Sequence, residues 1–167
     1  MSHYTVKLAR FVRDILDQPE FAVVQIGRQN LRRDNFSDLQ IIIDSLGAAK
    51  RLNASEKYDG NTELMTFAQQ YSAPCTVNFY GDDAGTMAEK FALLAQSQKG
   101  YELQLLHKIA VFNVSSITDL KLLASEQYSQ RFEVALQVQY TISADVEMLR
   151  IDTAQTKTIT DRENYYG

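Results

Sequence analysis

The chain has 167 residues, of which 45% are hydrophobic and 23% are charged, and this composition excludes a disordered, collagen-like or membrane-spanning protein. We expect one domain over residues 1–160 and a C-terminal tail over 161–167. The net charge of −4 lies in residues 81–167, where twelve acidic residues outnumber eight basic ones, against nine of each in residues 1–80. This distribution argues against a general phosphate-binding surface in the second half.

Targeting and membrane segments are not expected. The longest apolar stretch, "LQIIIDSLGAA", is interrupted by Asp44 and is far shorter than the roughly 20 residues needed to cross a bilayer. The N-terminus is amphipathic and carries charges where a signal peptide would be apolar.

Residues that usually carry catalysis or bind metals are scarce. Cys75 is the only cysteine, which excludes an intrachain disulfide or a cysteine-rich zinc site and favours a reducing cytoplasm. His3 and His107 are the only histidines, and neither has a second ligand at a metal-binding spacing. Phosphate-loop, dinucleotide, nucleophile-elbow and HExxH motifs are missing from the sequence. We therefore expect no enzyme activity, no cofactor and no metal.

Two arrangements of residues that could carry chemistry have simpler explanations. Cys75 and His107 could form a catalytic dyad, but a small core residue and a histidine that meets the last carbonyls of a helix explain them better. Asp82 and Asp83 could bind a divalent cation, although acidic residues are common where a helix begins.

The first half of the chain is predicted to contain one helix and several strands. Apolar residues at helical spacing predict an N-terminal helix that ends before Pro19. Two short strands, "FAVVQIG" and "LQIIIDSLG", flank a polar loop, "RQNLRRDNFSD", and a turn follows at Asp59 and Gly60. Residues 62–80 are predicted to be extended. Pro74 has no N–H to donate, so it marks a bulge, an edge position or a break between two strands.

The second half begins with the clearest helix, whose apolar stripe is Met87, Ala88, Phe91, Leu94 and Ala95. Its cap is either Asp83, or Thr86 in a capping box, and Lys99 with Gly100 is expected to close it. A short helix, "YELQLLH", and one or two strands in "KIAVFNVSSITDLKLLA" follow. The fold class is therefore α+β, a mixed, largely antiparallel sheet with a long C-terminal hairpin, an N-terminal helix and a central helix.

The hairpin begins with an unusually long strand, in which apolar and polar side chains alternate from Phe132 to Ile142. Counted from Arg131, this strand has twelve residues and spans roughly 40 Å, as much as the whole domain, so it crosses the domain or overhangs it. The chain is expected to turn at residues 143–145, and "VEMLRIDTAQTKTIT" is expected to return beside the strand. The hairpin would then occupy residues 130–160.

This order of elements resembles the neck or tail terminator proteins of tailed bacteriophages. The similarity covers roughly residues 5–160 and is closest at "YGDDA", residues 80–84, and in the alternating strand that closes with Tyr140 and Thr141. The resemblance implies a structural virion protein of the neck or tail, assembled in the host cytoplasm. It implies a hexameric ring that caps the tail tube and joins it to head-completion and neck proteins, with the sheath protein as a further partner. DNA would pass through the ring without specific binding, and no membrane is involved.

The long strand itself favours assembly, because a free strand edge exposes unpaired backbone groups that another copy can cover. We expect the hairpin and the tail to contact neighbouring subunits. The predicted interface combines polar residues of the strand with two C-terminal tyrosines, an amphipathic residue type enriched at interfaces: Arg131, Glu133, Gln137, Gln139, Thr141, Tyr165 and Tyr166.

Three other functions remain open. Another phage neck, head-completion or tube-end protein would follow the same physics with a different neighbour. A cytoplasmic binding module or small enzyme would use the cleft beside the central helix. A nucleic-acid site would use a basic loop that Asp34 and Asp38 interrupt; its residues are Arg28, Arg32 and Arg33.

Overall fold

A computed structural model describes residues 3–18, 24–26, 39–120, 122–124 and 127–148. Within these residues the three helices are α1 (His3–Ile15), α2 (Ala84–Ala95) and α3 (Gln98–His107). None of these helices is long and apolar enough to cross a bilayer. The strands of the described residues are β1 (Val24–Ile26), β2 (Gln40–Ser45), β3 (Lys50–Asp59), β4 (Leu64–Tyr80), β5 (Ala110–Phe112), β6 (Thr118–Asp119), β7 (Leu122–Ala124), β8 (Gln127–Ser129) and β9 (Arg131–Glu147).

Seven of the described strands form one sheet around the antiparallel pair β4 and β9, which are 17 residues long each. The strand order is β1-β2-β4-β9-β5. In addition, β3 pairs with β4 and β6 pairs with β9, while β7 and β8 form a separate two-stranded sheet. Among the strand pairs of the described residues, only β1 and β2 run parallel. These helices and this largely antiparallel sheet confirm the predicted α+β class.

The flanking strands divide the sheet into two regions. In the body, β2 pairs with residues 75–80 of β4, and β5 and β6 pair with residues 132–139 of β9. In the arm, β3 pairs with residues 64–72 of β4, and that half of β4 pairs with residues 139–147 of β9. In the part of the chain that the structure describes, the arm is therefore a three-stranded sheet in the order β3-β4-β9.

The hydrophobic core lies between the helices and one face of the body. Phe11 of α1 and Phe91 of α2 are fully buried, and their ring centroids are 6.4 Å apart in an edge-on contact. Phe91 also contacts Phe79 of β4 at 5.8 Å, and Val134 of β9 is buried in the same cluster. Full burial of each such side chain stabilises the fold by about 1.5–3 kcal/mol.

Strand β9 confirms the predicted long strand and overhangs the body. Its buried residues, Val134, Leu136 and Val138, lie in the body, whereas every residue from Thr141 to Met148 is exposed. The predicted turn at residues 143–145 is wrong. These residues stay in β9 and pair with β4, because the alternation of apolar residues continues through Ala144 and Val146. The predicted return strand, the domain end at residue 160 and the tail lie outside the described residues.

Pro74 lies inside one continuous strand, which decides between the alternatives for residues 62–80. The carbonyl oxygen of Pro74 accepts from the Leu46 N–H at 2.9 Å, so the backbone of Pro74 faces away from β9. On that side β2 ends opposite Cys75, and β3 begins opposite Ser72. The missing N–H of proline therefore removes no hydrogen bond from either ladder.

The prediction that Gly100 closes α2 is wrong, because Gly100 lies in the first turn of α3. Its N–H donates to the Ser97 side chain, the N-cap of α3, at 3.2 Å. A Cβ at Gly100 would overlap the carbonyl oxygen of Leu94 and lie 2.7 Å from that of Ala95. Glycine is therefore required because α3 starts against the end of α2. Of the two predicted caps of α2, the structure selects Asp83, whose side chain makes no capping hydrogen bond.

Candidate functional site

The arm has an apolar face that continues the core side of the sheet. Register places Tyr58, Met65 and Val146 side by side across the three strands. Phe67 and Ile142 lie on the same face, and their exposed fractions are 38% and 53%. The described helices that cover the body do not bury these residues, so the arm presents an apolar surface of the kind that marks interaction sites.

The opposite face of the arm is polar. Lys57, Thr66 and Asp145 form one row across β3, β4 and β9. The hydroxyl of Thr66 donates to the Asp145 carboxylate at 2.7 Å; Thr66 is half-buried and Asp145 is exposed. The next row contains Ser55 and Ser143. The arm is thus amphipathic in the manner of a sheet that is covered on one side.

The outer edge of β9 in the arm exposes backbone hydrogen-bonding groups. In the body, the carbonyl oxygens of Arg131 and Ala135 accept from loop N–H groups at 2.7 and 2.8 Å, so odd-numbered residues of β9 face away from β4. The same alternation turns the backbone of Thr141, Ser143 and Asp145 outward. β5 stops at Ala110, opposite Gln139, and no strand of the described residues pairs with β9 beyond it. Such an edge is a template for another chain.

Three stacked tyrosines fix the arm where it leaves the body. The ring of Tyr140 lies 4.7 Å from that of Tyr4 and 5.4 Å from that of Tyr71, with interplanar angles of 14° in both pairs. The hydroxyl groups of Tyr4 and Ser45 are 2.7 Å apart. Burial, and then the neighbouring tyrosines, raise the pKa of Tyr140. The stack joins α1, β4 and β9 at this point.

A groove of about 500 Å³ opens beside this stack. It lies between the end of α3, at Leu105 and Lys108, and the edge of β9, at Thr141 and Ser143. The groove therefore begins where β5 ends, along the outward backbone groups of β9.

The predicted interface residues of β9 all lie on one side of the strand. Thr141 is exposed, whereas Arg131, Glu133, Gln137 and Gln139 are partly buried. Their backbones all face away from β4, so the structure places the five along one side of β9, where β5 and β6 already pair with Glu133, Gln137 and Gln139. The remaining predicted site residues, Tyr165, Tyr166, Arg28, Arg32 and Arg33, lie outside the described residues.

Arg131 belongs to a polar cluster on the face of the body that α1 and α2 do not cover. Its guanidinium donates to the Asn78 side-chain oxygen at 2.9 and 3.2 Å and to Glu133 at 3.4 Å. The Asn78 amide donates in turn to Thr76 at 3.2 Å and to Asp44 at 3.4 Å. These hydrogen bonds are made within the chain, which gives the cluster a structural role.

The residues considered for chemistry have separate partners. Nε2 of His107 lies 2.8 Å from the Asp14 carboxylate and links α3 to α1, so a hydrogen bond to Asp14 takes the place of the predicted contact with the last helix carbonyls. Cys75 is fully buried, and burial raises the pKa of its thiol to about 11. Asp82 and Asp83 belong to no group of three potential metal ligands among the described side chains.

Sequence reasoning missed the apolar half of the arm. In β9 the signal was present, because apolar residues continue at every second position to Met148. In β3, "KRLNASEKYD", the apolar face receives Ala54 and Tyr58, but the charged residue Glu56 lies between them on the same face. The alternation in β3 is too weak to identify that strand alone.

An overhanging sheet with an open edge and an exposed apolar face is typical of proteins that function within assemblies. A family model described as "Phage neck terminator protein" matches residues 7–163. The chain belongs to this family, which confirms the predicted resemblance. It is therefore a structural protein of the phage neck and part of the virion. No curated protein matches the chain significantly.

Proposed function

We propose that this neck protein forms a closed ring of identical copies, a hexamer, that caps the tail tube and joins it to head-completion and neck proteins. The sheath protein is a further partner, and DNA passes through the channel without specific binding. Membership of the neck terminator family supports a place in the neck. The ring is supported by the arm, which extends beyond the body with an uncovered face and an open edge.

A ring explains the arm because every copy can offer one surface and cover another. Contacts between unlike surfaces of identical subunits close into a ring when the rotation between copies allows it. The proposed interface includes the exposed end of β9 from Thr141 onward, together with Tyr165 and Tyr166. The partly buried residues Arg131, Glu133, Gln137 and Gln139 form the root of the same edge, and residues 130–160 are proposed to contribute to the contact.

The place in the neck is tested in phage particles that lack this protein. Because a terminator stops tube growth and provides the joint to the head, electron microscopy is expected to show overlong or unjoined tails beside filled heads. Supplying the wild-type protein in trans restores joined particles. Joined tails of normal length in its absence would contradict the proposal, and normal tails beside empty heads would favour a head-completion role.

The contribution of the arm is tested by Val146→Asp, with Leu93→Asp as a matched control. Both side chains are exposed and apolar, but Val146 lies on the arm and Leu93 on α2 of the body. Val146→Asp is expected to leave single folded copies in sedimentation experiments, whereas Leu93→Asp retains the ring. A ring formed by the Val146 variant at wild-type concentrations would remove the arm from the subunit contact.

A further inference from the structure

We infer that the arms pair edge to edge in the ring, with β9 of one copy beside β3 of the next in parallel register. This inference rests on the proposed ring and specifies its contact. β4 is paired on both sides throughout the arm, so β3 and β9 provide the two edges. Within the described residues neither edge has a second strand beside it, and each copy therefore offers two different edges, as a ring requires.

The direction of pairing follows from symmetry. β3 and β9 each run antiparallel to β4, so they run parallel to one another. Copies in a ring are related by rotation without a rise along the axis, so neighbouring arms point the same way. β9 of one copy and β3 of the next are therefore parallel partners.

If the arms run along the ring axis, symmetry also fixes the register between β9 of one copy and β3 of the next. Lys57 and Asp145 are both paired with Thr66, so they lie at the same height in one copy. With no rise between copies, Asp145 lies opposite Lys57 of the next copy. Within one copy these residues are two strands apart, roughly 10 Å, and between copies they become neighbours at about 5 Å.

The backbone groups fit this register. The hydrogen bond from the Leu46 N–H to the Pro74 carbonyl shows that the backbone groups of even-numbered β4 residues face β2 and β3. Thr66 is one of these residues, so the backbone groups of its partner Lys57 face β4. The outward residues of β3 are therefore Glu56 and Tyr58. In a parallel pair, one residue bonds the two residues that flank its opposite partner. The outward N–H and C=O of Asp145 thus meet the backbones on either side of Lys57.

One charge pair favours a second copy as the occupant of the edge. In this register Lys57 of β3 lies opposite Asp145 of β9, whereas Asp59 of β3 lies opposite Glu147. Opposite charges on adjacent strands attract and like charges directly opposite repel, so Lys57 and Asp145 favour the register and the acidic pair at the strand end opposes it.

The apolar face supports the same pairing. In this register Tyr58 of one copy stands beside Val146 or Ala144 of its neighbour, which extends the apolar row from arm to arm. A bulge between Arg51 and Ala54 ends the regular part of β3. Pairing is therefore limited to residues 54–59 against residues 142–147, close to the usual strand length of about five or six residues.

Disulfide trapping tests the register with Lys57→Cys/Asp145→Cys. Two cysteines whose Cα atoms lie more than about 7 Å apart cannot be bridged, so the intrachain distance of roughly 10 Å excludes a bond within one copy. Mild oxidation is expected to give linked multimers up to the full ring in denaturing electrophoresis. Cys75 is buried and does not compete. The control Lys50→Cys/Asp145→Cys is offset along the strands by roughly 20 Å and is expected to remain unlinked.

Charge exchange provides a second test that does not require a disulfide. Lys57→Asp or Asp145→Lys alone is expected to raise the concentration needed for ring formation roughly tenfold, and the double exchange to restore it to within about threefold of wild type. Both side chains are exposed, so circular dichroism is expected to show native folding. Rings without linked multimers, or single variants that assemble like wild type, overturn the edge pairing and leave the ring intact. Absence of any ring overturns both proposals.

Discussion

The body and the arm are built from the same two strands but differ in what covers them. In the body, Val77 and Val134 face each other on adjacent strands and are completely buried. In the arm, Phe67 and Ile142 continue the same alternation, yet 38% and 53% of their surfaces remain exposed. The alternation of a strand thus determines which face is apolar, whereas the neighbouring elements determine whether that face is buried within one chain.

The largest difference between the two regions is expected from two phenylalanine truncations. Phe91→Ala removes a fully buried ring between α1 and the sheet and is expected to lower the free energy of unfolding by about 3–5 kcal/mol. Phe67→Ala, in the arm, is expected to cost a single copy less than about 1 kcal/mol, but to weaken ring formation. Urea unfolding of single copies measures both, and equal costs would contradict the separation of body and arm.

The joint between the regions is tested by Tyr140→Ala. Loss of two stacked contacts is expected to cost about 1–3 kcal/mol and to speed amide exchange in the arm more than in the body. Tyr140→Phe keeps both stacks and serves as the control. If exchange in the arm is the same in all three proteins, the tyrosine stack does not hold the arm in place.

Two glycines, one in the body and one in the arm, differ in how much space is available for an added side chain. Gly100→Ala is expected to cost about 1–3 kcal/mol, because its methyl group would overlap backbone at the end of α2. Gly60→Ala, at the tip of the arm, would place the nearest atom, on Tyr58, at 3.7 Å, so its effect is expected to stay within about 0.5 kcal/mol. Thermal unfolding of both variants makes the comparison, and a larger loss at Gly60 would be inconsistent with these contacts.

The smallest effect is expected from acid at the tip of the arm. The Asn61 N–H donates to the Asp59 carboxylate at 3.0 Å and, with Thr62, lowers the pKa of Asp59 below its ordinary 3.8. A lowered pKa stabilises the folded turn above pH 3.8, and this contribution is lost as the pH falls through the folded-state value. Carboxyl chemical shifts measured against pH test this, and a midpoint at or above 3.8 would contradict it.

Sequence patterns predicted the elements whose own residues carry a strong period. α1 followed from its apolar stripe and β9 from its alternation, but the predicted turn at residues 143–145 relied on small polar residues that remain extended when β4 pairs with them. β3 was missed because charged residues occupy much of both faces. The requirement for Gly100 depends on the backbone of α2, a tertiary contact that no local pattern encodes.

The most direct test of whether another copy pairs with the edge of the arm is residue-resolved amide exchange along the end of β9. In single copies, the inward amides of Ile142 and Ala144 are expected to be protected by β4, while the outward amides of Ser143 and Asp145 exchange freely. In the ring, protection is expected to become uniform because β3 of the neighbour covers the edge. Outward amides that are already protected in the single copy, or that still exchange freely in the ring, would contradict the account.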